Sequence, residues 1–198
     1  MPIPDQQKWN ERYATGEFGY REPDAFVIDA HHEFLQPLLP AGGDGLDLAG
    51  GAGHHAVWLM QQGWRMMLAD FSQTALDIAR SHSNGMQLEM RCGAALNVVQ
   101  ALIAEKRQFR FVLVSFFLDR TVLPWLPELL APEGLLLYRT YTVDNLRFGN
   151  QRGPREPERL LRSQELLTIF SSSSRMRILH YHETVKEKGV VELIAQRS

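Results

Sequence analysis

Apolar and polar positions follow two rhythms along this chain. Seven runs are almost continuously apolar or alternate with period two: Gly45–Leu48, Trp64–Ala69, Met86–Cys92, Phe109–Phe116, Gly134–Tyr141, Met176–Val185 and Val190–Gln196. Such runs, bounded by Gly, Pro, Asn, Asp and Ser, predict strands. Between them the spacing is helical. His55–Gln62 is stopped by Gly63, and Ser72 can cap a helix running through Arg80. Leu96–Lys106 and Pro157–Phe170 read as helices, and Leu118–Leu130 reads as helical but split by Pro124 and Pro127. Ahead of the first strand, Gln6–Tyr13 and Ala25–Leu35 read as helices, the second with Asp24 as N-cap after Pro23.

Strands that alternate with helices predict an α/β architecture with a mostly parallel, doubly wound seven-stranded sheet covered by helices on both faces. The last two strands are joined by Lys186-Glu187-Lys188-Gly189, a hairpin turn, so the chain should close on an antiparallel pair. The expected organisation is one domain over residues 1–198, with a helical N-terminal segment (1–40) and a sheet core (41–198). Open parallel sheets bind ligands at the carboxyl ends of their strands, near the switch in strand order.

Composition narrows the class. The chain has 198 residues, 44% apolar and 22% charged, with a formal charge of −2. That balance speaks against a protein that coats nucleic acid. A single cysteine, Cys92, excludes an internal disulfide framework and a Cys-rich zinc site, and its place in a strand predicts a buried small residue. The expectation is a cytoplasmic protein with no membrane span and no nucleic-acid partner, acting on a small molecule as a monomer or homodimer. Charge is uneven: residues 139–177 hold eight Arg and no Lys against four acids, which suits an anionic ligand on one side or a solvated loop.

The chemistry concentrates after the first strand, in Asp47-Leu48-Ala49-Gly50-Gly51-Ala52-Gly53-His54-His55-Ala56. Glycines let the backbone turn tightly and approach a ligand, and the N–H groups at the following helix start favour a carboxylate or phosphate. Asp70 ends the next strand, 17 residues beyond Gly53, where a carboxylate can hold both ribose hydroxyls. Gly51-x-Gly53-x-x-Ala56 also fits a dinucleotide fingerprint. Asp47 separates the readings, because an acid beneath the bend attracts an ammonium or sulfonium and repels a pyrophosphate. No Lys or Arg stands in the loop, and no Tyr-x-x-x-Lys pattern of a dehydrogenase occurs.

These residues resemble the class I methyltransferases that use S-adenosylmethionine, whose fold is Rossmann-like. Asp47 to Gly53 matches the first motif of that family, and Asp70 its ribose-binding acid. Phe109–Val114 resembles its fourth strand, and Leu130-Ala131-Pro132-Glu133-Gly134 its turn into the fifth. Trp9-x-x-Arg12-Tyr13, Gly19, Pro23 and Phe26 are similar to the N-terminal lid of the tellurite-resistance-type small-molecule methyltransferases. Phe148-Gly149 and Pro154-Arg155-Glu156-Pro157 resemble a loop of that group. The resemblance implies S-adenosylmethionine as cofactor and S-adenosylhomocysteine as product, bound by Trp9, Arg12, Asp47, Ala49, Gly51, Gly53, His54, Asp70, Phe71, Ala95 and Ser115. The sequence departs from the family at Ala95-Leu96, where an adenine-binding Asp is common, at Leu118-Asp119-Arg120, and at Arg139. Backbone groups of residues 93–95 and the Phe71 ring would then hold the adenine.

Methyl transfer by in-line displacement leaves a neutral thioether, so catalysis rests on positioning in a dry site. A small, anionic or soft nucleophile needs no protein base. Substrate-side candidates are Tyr13, Arg120, Arg139, Tyr141, Arg152 and Arg155, arginine suiting oxyanions through its planar fork. The pairs His31-His32 and His54-His55 should diverge around their helices, and His180 with His182 is more simply a surface strand than a metal site, so no metal is expected. The alternative function is a non-catalytic sensor of adenosyl ligands or nucleotides on the same fold.

Overall fold

The computed structural model describes residues 3–149 and 153–198. Its centre is a seven-stranded sheet in the order β3-β2-β1-β4-β5-β7-β6. The strands are β1 (Asp44–Leu48), β2 (Arg65–Asp70), β3 (Glu89–Cys92), β4 (Phe109–Ser115), β5 (Leu130–Tyr141), β6 (Met176–Val185) and β7 (Gly189–Arg197). The first five are parallel, and β7 enters antiparallel between β5 and β6. The α/β class, the seven strands and the closing hairpin agree with the sequence pattern. Strand order reverses at β1, which lies between β2 and β4, so the carboxyl ends of β1 and β4 splay apart and leave a crevice.

Period-two alternation gives the sheet two apolar faces. Leu46, Leu48, Val112, Val114, Leu136 and Tyr138 pack with α6 (Ala95–Ala104), α7 (Glu165–Ser171) and a 3₁₀ turn at Leu123–Leu129. Leu68, Phe111, Leu113, Leu135 and Leu137 face the other way, onto α2 (Ala25–Ala30), α4 (His54–Gln61) and α5 (Gln73–His82). Each buried Leu among these contributes roughly 1.5–3 kcal/mol of transfer free energy. Ahead of them, α1 (Ile3–Ala14) crosses α5.

Several elements differ from the sequence expectation. The helix expected over 25–35 starts at Ala25, but its second half, His31–Leu35, is a π turn that runs into α3 (Gln36–Leu38). The widened turn brings His31 and His32 together, ring centroids 4.9 Å apart, instead of letting them diverge. Met86 does not begin a strand, because Asn84 and Gly85 take left-handed conformations and form a turn that delays β3 to Glu89. The segment 118–122 is irregular, and prolines at 124 and 127 leave only the 3₁₀ turn. The helix expected from Pro157 breaks after Arg159 and resumes at Glu165. Cys92 is exposed rather than buried.

Candidate active site

At the carboxyl ends of the first strands a tight crevice, with room for about one water, is lined by Leu48, Ala49, Ala69, Asp70, Phe71, Gly93, Ala95 and Phe117. Four residues expected at a cofactor therefore converge there: Ala49, Asp70, Phe71 and Ala95. Asp70 lies at the edge, where its two oxygens accept from the N–H groups of Gly51 and Ser72, each at 2.9 Å. Burial raises its pKa.

The glycine bend turns β1 into α4. Ala49, Gly51 and Gly53 all have positive φ, at 58°, 57° and 73°. A Cβ on Gly53 would lie 2.7 Å from the Ala79 Cβ and 2.9 Å from a Leu68 methyl, so the α4–α5–β2 packing requires glycine there. Beneath the bend, Asp47 is completely buried, and neither carboxylate oxygen has a hydrogen-bond partner among the described residues. Burial pushes its pKa up to about 6; the His55 ring and the Ala56 N–H, which lies near the carboxylate but outside hydrogen-bond geometry, offset this only partly. A buried carboxylate without a partner costs several kcal/mol, and an incoming cation would relieve that cost.

The N-terminal segment lies over the bend. The Gln6 amide donates to the Phe71 carbonyl at 2.6 Å, and the Ser72 hydroxyl donates to Asn10 Oδ1 at 2.6 Å. The Tyr13 phenol rests against Gly51. Trp9 and Arg12 stand further out. The Arg12 guanidinium packs against the rings of both Trp9 (4.6 Å) and Phe18 (4.2 Å), which touch each other, and pairs with Glu17 at 2.6 Å.

At the ends of β4 and β5 a second group assembles. Ser115 closes β4 with a buried hydroxyl that has no partner among the described residues. Phe116 follows with φ 53°, a conformation costing about 1–2 kcal/mol, fixed by its N–H donating to the Arg139 carbonyl at 2.7 Å. Its ring packs on Tyr141 (centroids 4.8 Å), with the Arg139 guanidinium 5.1 Å and Lys188 Nζ 5.3 Å from its centre. Arg139 also meets Glu192 at 3.2 Å and Asp24 at 3.7 Å.

Two other arginines are tied into the scaffold. Arg120 bonds the Glu165 carboxylate (2.6 and 2.9 Å) and the carbonyls of Glu158 and Leu160, so it clasps that loop to the end of β4 instead of standing free for an acceptor. Arg155 donates to the Gly149 carbonyl at 2.7 Å. Arg152 lies outside the described residues.

One cluster escapes sequence reasoning. His54 and His55 do not diverge; their ring centroids are 3.9 Å apart, and they offer ligand atoms with Asp24 within 4.8 Å of one another. His55 Nε2 lies 3.4 Å from the Asp24 carboxylate and 3.3 Å from the Asp24 N–H. Asp24 therefore does not cap α2 with its side chain. The His55 and Arg139 contacts hold its pKa well below the usual carboxylate range. The guanidinium groups of Arg21 and Arg139 already stand beside this cluster, and their charge opposes a metal cation there.

Comparison with known proteins agrees with this geometry. Residues 46–134, from β1 to the glycine within β5, match a family model described as a methyltransferase domain. That match over the sheet core and the fold agree with the expectation of a methyltransferase that uses S-adenosylmethionine. Among solved structures, the chain is similar to a SAM-dependent methyltransferase from Anabaena variabilis (TM-score 0.72, 16% identity, covering 100% of this chain and 96% of that one). It is also similar to TehB from Haemophilus influenzae (0.70, 14%, 96% and 67%). A third similar structure is an O-methyltransferase from Bacillus cereus in complex with SAH (0.68, 17%, 100% and 92%). No curated protein matches the sequence significantly. Among the described residues no helix is long and apolar enough to cross a membrane.

Proposed function

We propose that this chain moves a methyl group from S-adenosylmethionine to a small acceptor that is anionic or a soft nucleophile. The observation that carries the reading is Asp47: a wholly buried carboxylate with no hydrogen bond among the described residues, placed under the glycine bend. The cofactor's ammonium group is the cation that such a carboxylate lacks. The Ala49–Phe71–Ala95 crevice suits the adenine, and Asp70, which retains lone pairs beyond its two backbone bonds, suits the ribose. Bound there, the sulfonium supplies an electrophilic methyl group, which an acceptor takes by in-line displacement.

The chain's own contribution is to bind, orient and exclude water. The α1 segment covers the bend through Gln6, Asn10 and Tyr13. Phe116 and Tyr141 form an apolar wall, beside which stand Lys188 and Arg139, the latter paired with Glu192 and Asp24. No group needs to act as a base for such an acceptor. Incubation with methyl-labelled S-adenosylmethionine and a panel of small thiols, carboxylates and oxyanions, with S-adenosylhomocysteine as readout, tests the reading. Turnover with at least one member is expected, and Arg139→Ala should raise the acceptor KM while leaving S-adenosylhomocysteine affinity unchanged. Tight cofactor binding without turnover across the panel would favour an adenosyl-ligand sensor.

A further inference from the structure

A zwitterion needs opposite charges at its two ends, and the glycine bend brings both signs together. Asp47 and Asp70 supply the negative charge. At the first turn of α4 the charge is positive. Arg21 donates from Nε to His54 Nε2 at 3.4 Å, and its charge also reaches the Tyr13 phenol. Because His54 Nε2 accepts, the proton of the neutral ring sits on Nδ1. That Nδ1 is buried and has no hydrogen-bond partner among the described residues, on a side chain only 7% exposed. The N-terminus of α4 adds partial positive charge at the same place. Asp24, the nearest acid, is already engaged by His55 and Arg139.

The basic residue that the family resemblance points to is Arg12. Its charge also reaches the Tyr13 phenol, but its guanidinium is already occupied by Trp9, Phe18 and Glu17. We propose that Arg21, together with the Nδ1–H of His54, receives the carboxylate of the bound cofactor in place of Arg12. This rests on the methyl-donor reading above. Ammonium on Asp47 and carboxylate on Arg21 would fix the amino-acid end of the cofactor across the bend, and thereby its sulfonium.

Two ligands isolate the carboxylate: S-adenosylhomocysteine and S-adenosyl-3-thiopropylamine, which is the same molecule without it. Titration calorimetry of both against wild type, Arg21→Ala, Arg21→Lys and Arg12→Ala tests the assignment. Arg21 is exposed, so its removal should leave the fold intact. Wild type is expected to prefer S-adenosylhomocysteine by about tenfold, as for one charge-assisted hydrogen bond. Arg21→Ala should erase that preference without weakening the amine, Arg21→Lys should restore part of it, and Arg12→Ala should keep it. Equal weakening of both ligands by Arg21→Ala, or loss of the preference in Arg12→Ala, would overturn the assignment. Failure of wild type to bind either ligand would instead remove the donor reading itself, and this assignment with it.

Discussion

Asp47 concentrates the conflict between stability and function in one side chain. A carboxylate without partners in a dry interior destabilises the ligand-free protein and prepares it for a cation. Asp47→Asn removes the charge and keeps the shape. It should leave the ligand-free protein at neutral pH as stable as wild type or more stable, and weaken S-adenosylhomocysteine binding by about tenfold or more, as for a lost charged hydrogen bond. Thermal unfolding and calorimetry on the same preparation check both halves; unchanged affinity would mean that the ammonium lies elsewhere. The bend at Gly51 and Gly53, with Asp47 beneath it and Asp70 beside it, was legible as geometry because its spacing is local. The Asp24–His54–His55 cluster was not, since it depends on a contact across 31 residues and on two adjacent rings sharing one side of a helix start. The pairing of Arg120 with Glu165, 45 residues apart, was hidden in the same way.

Among the elements, α5 and its cap link fold to site. Ser72 Oγ accepts from the Ala75 N–H at 3.2 Å and donates to Asn10 on α1, so one hydroxyl both starts α5 and fastens the N-terminal segment. Ser72→Ala is expected to cost about 1 kcal/mol in chemical denaturation, the usual effect of losing such a cap. Amide exchange should quicken in α1 as well as in the first turn of α5. Faster exchange in α5 alone would show that Asn10 gains its hold on the core from other contacts. The strands were readable from runs such as Phe109–Val114 because burial on both faces demands continuous apolar residues. The π turn at His31–Leu35 and the break between Arg159 and Glu165 carry no such signature. There Leu35 and Leu161 pack into opposite cores, a tertiary fact that local periodicity does not express.

For the molecule as a whole, two buried groups give pH opposite effects. The Asp47 pKa rises from 3.8 to about 6 on folding, so the native state holds more protons than the unfolded chain in that window, and stability falls as pH climbs through it. The His54 pKa falls from 6.5 to about 3, so the unfolded chain holds more protons there and stability rises with pH over that range. In the ligand-free protein the two trends oppose one another. A cofactor ammonium beside Asp47 would favour the ionised carboxylate and lower its pKa, so binding should release a proton near pH 6 and strengthen toward pH 7. The most direct measurement is titration calorimetry of S-adenosylhomocysteine across pH 5–7.5 in buffers of different ionisation enthalpy, on wild type and Asp47→Asn. Proton release near pH 6 in wild type and its loss in the variant is the predicted result. Binding without proton exchange, or the same exchange in both proteins, would contradict the account.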